Sequence, residues 1–209
     1  MILQMRSEQV IPEFVQENLR FFDKTKYEKI EEYGQCCFSE KSKDGKATLV
    51  CQLNKDAIAI KEPDKNVLTY LSTEKGVRSC PDGFLFVKEK EEKWTLYIIE
   101  FKKTLNTSTY DKSKWQFKMG IHNARAIGAF LGIEIQEIVL CSSYREETIS
   151  ELHKKVDLST LRASNSLSAI KKQEEWRRGK CELEVDRVRR AYCYKKIKLN
   201  QNGVGNITL

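Results

Sequence analysis

Two apolar runs, residues 84–87 and 94–101, flank a block of charge at residues 88–93, and this arrangement constrains the chain more than any other stretch. No core accepts such a block, so it is the turn of a β-hairpin whose strands are the two runs. Setting Val87 opposite Thr95 continues the antiparallel register through Phe86 with Leu96 and Phe84 with Ile98, and ends with Asp82 opposite Glu100. Opposed residues share a face about 5 Å apart. Because side chains alternate, Lys102 joins Glu100 while Ile99 and Phe101 take the other side. Two carboxylates and a lysine are therefore expected to converge at the open end of the hairpin.

Carboxylates that close repel, and one must hold a proton unless a cation sits between them. Two hard oxygen ligands with room for water and a phosphate suit Mg²⁺, with Mn²⁺ as a substitute. Lys102, a compact charge with three donors, would orient a water or offset charge growing on a phosphorane. Pro81-Asp82, a spacer and Glu100-Phe101-Lys102 resemble the signature of the PD-(D/E)XK, or restriction endonuclease-like, nuclease superfamily. Glu91-Glu92-Lys93 repeats the second half of that signature, but in the turn. The competing reading of the same hairpin is a solvent-facing ion pair from Glu100 to Lys102.

The resemblance spans roughly residues 10–142, judged by element order. It implies an α/β fold with a mixed central sheet flanked by helices, to which the apolar runs before the hairpin add N-terminal strands beyond the family core and the residues after 142 add a basic C-terminal extension. The implied activity is that of a Mg²⁺-dependent endonuclease hydrolysing nucleic-acid phosphodiesters, DNA favoured over RNA. Asp82, Glu100 and Lys102 would be catalytic, with Asp82 and Glu100 on the metal. Many members add a glutamate from a helix ahead of the sheet; Glu17, Glu28, Glu31 and Glu32 all qualify, Glu17 being preferred, and each also reads as a solvated charge. A subset carries a glutamine on the helix after the hairpin. Gln116 holds that place, although Gly120 stands where the subset has a tyrosine four residues on. Lys103, on the opposite side of its strand, is a phosphate contact or plain surface.

Around the hairpin, residues 10–22 place Ile11, Val15, Leu19 and Phe22 on one helical stripe with Pro12 in the first turn, and residues 27–33 continue helical to Gly34. Residues 47–53, 57–60 and 67–71 read as short strands, punctuated by Asp44-Gly45 and Pro63-Asp64. Residues 104–110 read as a loop. A helix capped by Asp111 or Ser113 then runs to Leu131 and stops at Gly132. Its Gly120, Ala124 and Gly128 form a small-residue stripe, beside Trp115, Met119, Ile127, Phe130 and Leu131, that allows close approach to a sheet. Residues 133–141 read as a buried strand completing a crossover unit. Ser143 and Glu146 suggest a capping box for a helix through Lys155, residues 159–168 are a serine-rich interruption, and Asn202-Gly203 suggests a small terminal hairpin.

A chain of 209 residues with 40% hydrophobic residues and three prolines folds as one domain, with or without an appended subdomain. The division expected is a nuclease-like core over residues 1–142 and a basic extension over 143–209 packed on it. A net charge of +7 favours a polyanionic partner or mere solubility. The extension mixes Arg177, Arg178, Arg189 and Arg190 with Trp176, Tyr192 and Tyr194, which suits nucleic acid. Interleaved Glu174, Glu175, Glu182, Glu184 and Asp186 support instead a solvated flank whose aromatics are core.

Seven cysteines without a C-x-x-C pair argue against a disulfide framework and a zinc site, and point to a cytoplasmic protein with reduced thiols. No secretory signal and no run of about 18 apolar residues is found, so no membrane partner is expected. Two histidines without triad partners leave few candidates for histidine-based mechanisms, and the lack of glycine-rich phosphate loops leaves ATPase and dehydrogenase readings without support. Expected partners are nucleic acid and a second copy in a homodimer. The rival class is a non-catalytic nucleic-acid- or protein-binding module of the same fold.

Overall fold

A computed structural model of the chain describes residues 11–42, 45–63, 71–72, 76–150 and 164–209. The hairpin is formed by β5 (Gly83–Lys88) and β6 (Lys93–Leu105), with Val87 opposite Thr95, Phe86 opposite Leu96 and Phe84 opposite Ile98, the register read from the sequence. Every residue of β5 is buried, which places it mid-sheet with both faces covered.

Among the described residues the hairpin lies inside a seven-stranded mixed sheet. On one side stand β4 (Ala57–Lys61) and then β1 (Tyr27–Ile30), both antiparallel to their neighbours; on the other, β7 (Glu134–Glu147) and β9 (Val188–Lys198) run parallel to β6, and β8 (Lys180–Val185) closes the edge. Helices α1 (Glu13–Leu19), α2 (Thr107–Leu131) and α3 (Ser164–Arg178) bury one face, made of Ile58, Phe84, Phe86, Leu96, Ile98 and Leu140. The opposite face, with Ala59, Leu85, Ile99, Phe101 and Cys141, packs on a second sheet of β2 (Gln35–Ser42), β3 (Gly45–Gln52) and β10 (Val204–Thr208). The result is an α/β fold of helices, mixed sheet and a small outer sheet.

Two glycines set the spacing of these layers next to Asp82. A Cβ at residue 83 would fall 2.3 Å from the Phe38 ring of β2, and one at residue 120 would fall 2.8 Å from Pro81 Cγ and 3.3 Å from Ile98 Cγ2. Only glycine admits either contact. The small-residue stripe thus works as expected, with Ala124 buried and Gly128 close to Ile135, while Trp115 and Phe130 beside it stay exposed.

Several elements differ from the sequence reading. Residues 27–33 contain β1 and a turn instead of a helix, because pairing with β4 satisfies the backbone and buries Ile30, whereas a seven-residue helix is marginal alone. Helix α2 starts at Thr107, four residues before Asp111, since Asn106 and Thr109 form a reciprocal cap; the expected loop at 104–110 is strand end and first turn. Strand β7 continues through Ser143 and Glu146 to Glu147, so no helix is capped there, and residues 151–155 of that expected helix lie outside the described residues. Asn200 and Gly203 make a turn, but the following β10 pairs in parallel with β3 and forms no hairpin with β9. Residues 67–70, Asp44, Asp64, Val10 and residues 159–163 also lie outside the described residues. The division placed after residue 142 falls inside β7, and β8, β9 and β10 are built into both sheets.

Candidate active site

Pairing runs past the end of β5: the Asp82 N–H donates to Ile99 O at 2.9 Å, which sets Asp82 beside Glu100. Asp82 Oδ2 then accepts the Phe101 N–H at 2.7 Å. Strand N–H groups lie in the sheet plane. The Asp82 carboxylate is accordingly held at the edge of that plane, between the two faces.

Glu100 is 1% exposed on the helix-covered face, level with Ser142 of β7. Its Oε1 accepts from Lys102 Nζ, and its Oε2 is buried with no hydrogen-bond partner among the described residues. Burial first, and the Asp82 charge second, push its pKa up to about 8, with Lys102 and Gln116 pulling the other way. A buried acid with one oxygen unsatisfied is costly. Lys102 Nζ also donates to Gln116 Oε1 at 3.0 Å, so the lysine is oriented by an acceptor on its own strand and one on α2. The Asn106 cap and the Gly120 contact fix the phase and depth of α2, and with them the position of Gln116.

Asp82, Glu100, Lys102 and Gln116 are thus brought together. Lys103 is exposed at the adjoining rim, where it lines a small recess with Glu40, Lys102 and Arg145.

Glu40 is the residue that sequence reasoning missed. It follows Cys36 and Phe38 in the alternation of β2, both buried against the large sheet, and it lines a cleft with Glu62, Pro63, Pro81 and Asp82. Glu40 is exposed at the cleft mouth, so its desolvation is only partial; that desolvation, then the Asp82 charge, raise its pKa, and Lys102 opposes the rise. The sequence held only its phase, two residues beyond Cys36 and Phe38 on the same side of the strand, and not its placement beside Asp82.

Glu17 is not brought to the site. It is exposed on α1 because Val15 and Leu19 take the buried side of that helix. The neighbouring Phe14 packs at Gly132, sixteen residues along α2 from Gln116, a rise of about 24 Å. Glu28 lies on β1, paired with Lys61 at 2.6 Å.

The basic extension also stands apart. Trp176, Tyr192 and Tyr194 are buried in the helix-side core against Tyr110, Tyr144 and Phe117, so they cannot stack on bases. The ladders set Lys196 level with Glu100 through Ser142, which leaves Arg189 about 23 Å and Arg190 about 20 Å back along β9. Arg177 and Arg178 end α3 on the β8 side, three strands or about 14 Å across, both paired with Glu174, at 2.9 and 2.6 Å.

Compared with protein-family models, curated proteins and solved structures, the chain matches none. Among the described residues no group of three or more His, Cys, Asp or Glu side chains is gathered to hold a metal. An ion here would rest on Asp82 and Glu100 with water and substrate oxygens, a donor set that suits Mg²⁺ or Mn²⁺. The Glu100 Oε2, without a hydrogen bond among the described residues, fits such an ion.

Proposed function

We propose that the protein is a metal-dependent nuclease that hydrolyses phosphodiester bonds, of the kind the PD-(D/E)XK signature implies, with DNA preferred to RNA. The observation that carries this reading is Glu100: buried, with Oε2 making no hydrogen bond among the described residues, beside a second carboxylate and with Oε1 engaged by an oriented lysine. A surface ion pair needs none of these features, since exposed pairs contribute roughly 0 to 1 kcal/mol and stay hydrated.

Asp82 and Glu100 would hold Mg²⁺ or Mn²⁺, which when bound supplies charge neutralisation and polarisation of a phosphoryl oxygen. Gln116 and Glu100 fix the ammonium of Lys102 with two of its three N–H groups. The third has no acceptor among the described residues and would donate to the attacking water or to a phosphate oxygen, where a fixed charge in a partly dry site stabilises the charge that develops. The Phe101 N–H fixes Asp82, so the acidic half of the site needs little rearrangement. All seven cysteines are free, which accords with a cytoplasmic protein, and no helix among the described residues is long and apolar enough to cross a membrane.

The test is incubation with supercoiled and linear duplex DNA, single strands and RNA, each with Mg²⁺, Mn²⁺ or chelator. Cleavage that needs the ion and is lost in Asp82→Asn supports the reading, and cleavage undiminished by chelator ends it. Nucleic-acid binding without cleavage under any condition would transfer the protein to the non-catalytic class.

A further inference from the structure

Helix α2 brings an aromatic ring to the same rim. Trp115 is 40% exposed, whereas Trp94 and Trp176 are 0% and 6% exposed. Its indole is held in place: Nε1 donates to Gly76 O at 2.8 Å, and Lys118 Nζ stands 5.7 Å from the ring centre. With Ser79, Asp111, Lys112 and Gln116, it lines a recess of about 440 Å³, within the usual size of a small-molecule pocket. Asp111 is paired with Lys172 at 2.5 Å. Lys112 and Lys118, three positions either side of Trp115, share its side of the helix.

Gln116 belongs both to this recess and to the group around Lys102. Whatever lies in the recess is therefore adjacent to the place where a phosphodiester would be cut. A fixed, exposed aromatic ring loses little freedom on binding, and every nucleobase offers it a face to stack on. A base inside a duplex is already stacked on both sides, so only an unpaired or extruded base can reach it.

We propose that the recess takes one unpaired nucleobase of a single-stranded nucleic acid, stacked on Trp115, with a neighbouring phosphate on Lys112. Placing the next phosphate at Lys102 rests on the nuclease reading; binding of the base does not. Single-stranded or locally opened nucleic acid is then the substrate class.

The full chain is titrated in chelator, which separates binding from cleavage, with a short oligothymidine, the same strand carrying one abasic residue at successive positions, and the matching duplex. Because the other two tryptophans are buried, quenching of tryptophan emission by the single strand reports Trp115. Trp115→Ala is expected to weaken binding roughly tenfold and Trp115→Phe to keep most of it. The abasic residue at one position should weaken binding to the wild type but not to Trp115→Ala, a distinction that loss of the Gly76 hydrogen bond alone would not produce. Equal binding and equal quenching by duplex and single strand overturn the proposal. So does abasic discrimination that survives in Trp115→Ala, or, should that variant not fold, a wild type indifferent to every abasic position. Base stacking without cleavage in Mg²⁺ would remove the nuclease reading and leave the recess, whereas cleavage indifferent to Trp115 would do the reverse.

Discussion

The two ends of the β5–β6 hairpin carry the same triplet pattern, Glu-x-Lys, in opposite surroundings. At the turn, Glu91 and Glu92 adopt φ of 55° and 59°, and the Glu91 and Lys93 side chains, 83% and 37% exposed, stand 3.9 Å apart. At the open end, the Glu100 and Lys102 side chains are 2% and 17% exposed, enclosed by α2 and next to Asp82. The turn even has the roomier recess, about 750 Å³ against about 360 Å³ for the cleft at Asp82. Neither sequence pattern nor volume distinguishes the ends chemically. What does is desolvation, because removing water makes a carboxylate pair costly and a cation beside it effective.

The sharpest way to break this comparison is to remove the lysines. Lys102→Ala should lower turnover by roughly 10²-fold or more with substrate binding largely retained, and Lys93→Ala should leave it unchanged, both read in single-turnover cleavage assays. Asp82→Asn should lower metal affinity and turnover together. Loss of activity in the turn variant alone would place the site at the wrong end.

Proton linkage separates the ends next. In metal-free protein burial, then the Asp82 charge, push the Glu100 pKa up to about 8 from the usual 4.5, so the native state keeps a proton that the unfolded chain has released. Stability should therefore fall as pH rises from about 4.5 to 8, by an amount on the order of a few kcal/mol, with the loss complete above that window. Urea melts in chelator should show this slope in the wild type, a flatter one in Glu100→Gln and an unchanged one in Glu91→Gln. A Glu100→Gln profile parallel to the wild type would refute the assignment.

Gly120→Ala presses a methyl group on Pro81 and should cost about 1 to 3 kcal/mol and reduce cleavage through displacement of Asp82. Thermal melts with and without Mg²⁺ measure both. Smallest of all, Arg189→Ala with Arg190→Ala should keep cleavage within about twofold, since these arginines lie about 20 Å or more along the sheet from Glu100. A large fall in the salt dependence of binding would instead extend the nucleic-acid path to that edge.

The hairpin register was legible because a two-residue period and a charged turn together leave one alignment in which both strands bury the same face. Gln116 was legible from helical spacing, although what fixes it, the Asn106 cap, lay hidden in a polar run that resembles a loop. Glu40 escaped because its strand belongs to a different sheet, and nothing local reports that β2 packs across Gly83. The same non-locality hid the role of the C-terminal third. Tyr192 and Tyr194 alternate as strand residues do, yet the surrounding charge suggested a surface, and only the parallel pairing of β9 with β7 explains their burial.

Helix α2 rests through Gly120 on Pro81, the residue before Asp82, and the same helix bears Gln116 and Trp115. The Asp82 carboxylate, the support of Lys102 and the aromatic ring are thereby referenced to one mechanical datum. Gln116 and Trp115 ride together on the helix whereas Asp82, Glu100 and Lys102 belong to the hairpin, so a slide at the Pro81 contact would change the distances between the two groups. The tolerance of the whole assembly is set by the thickness of one missing methyl group.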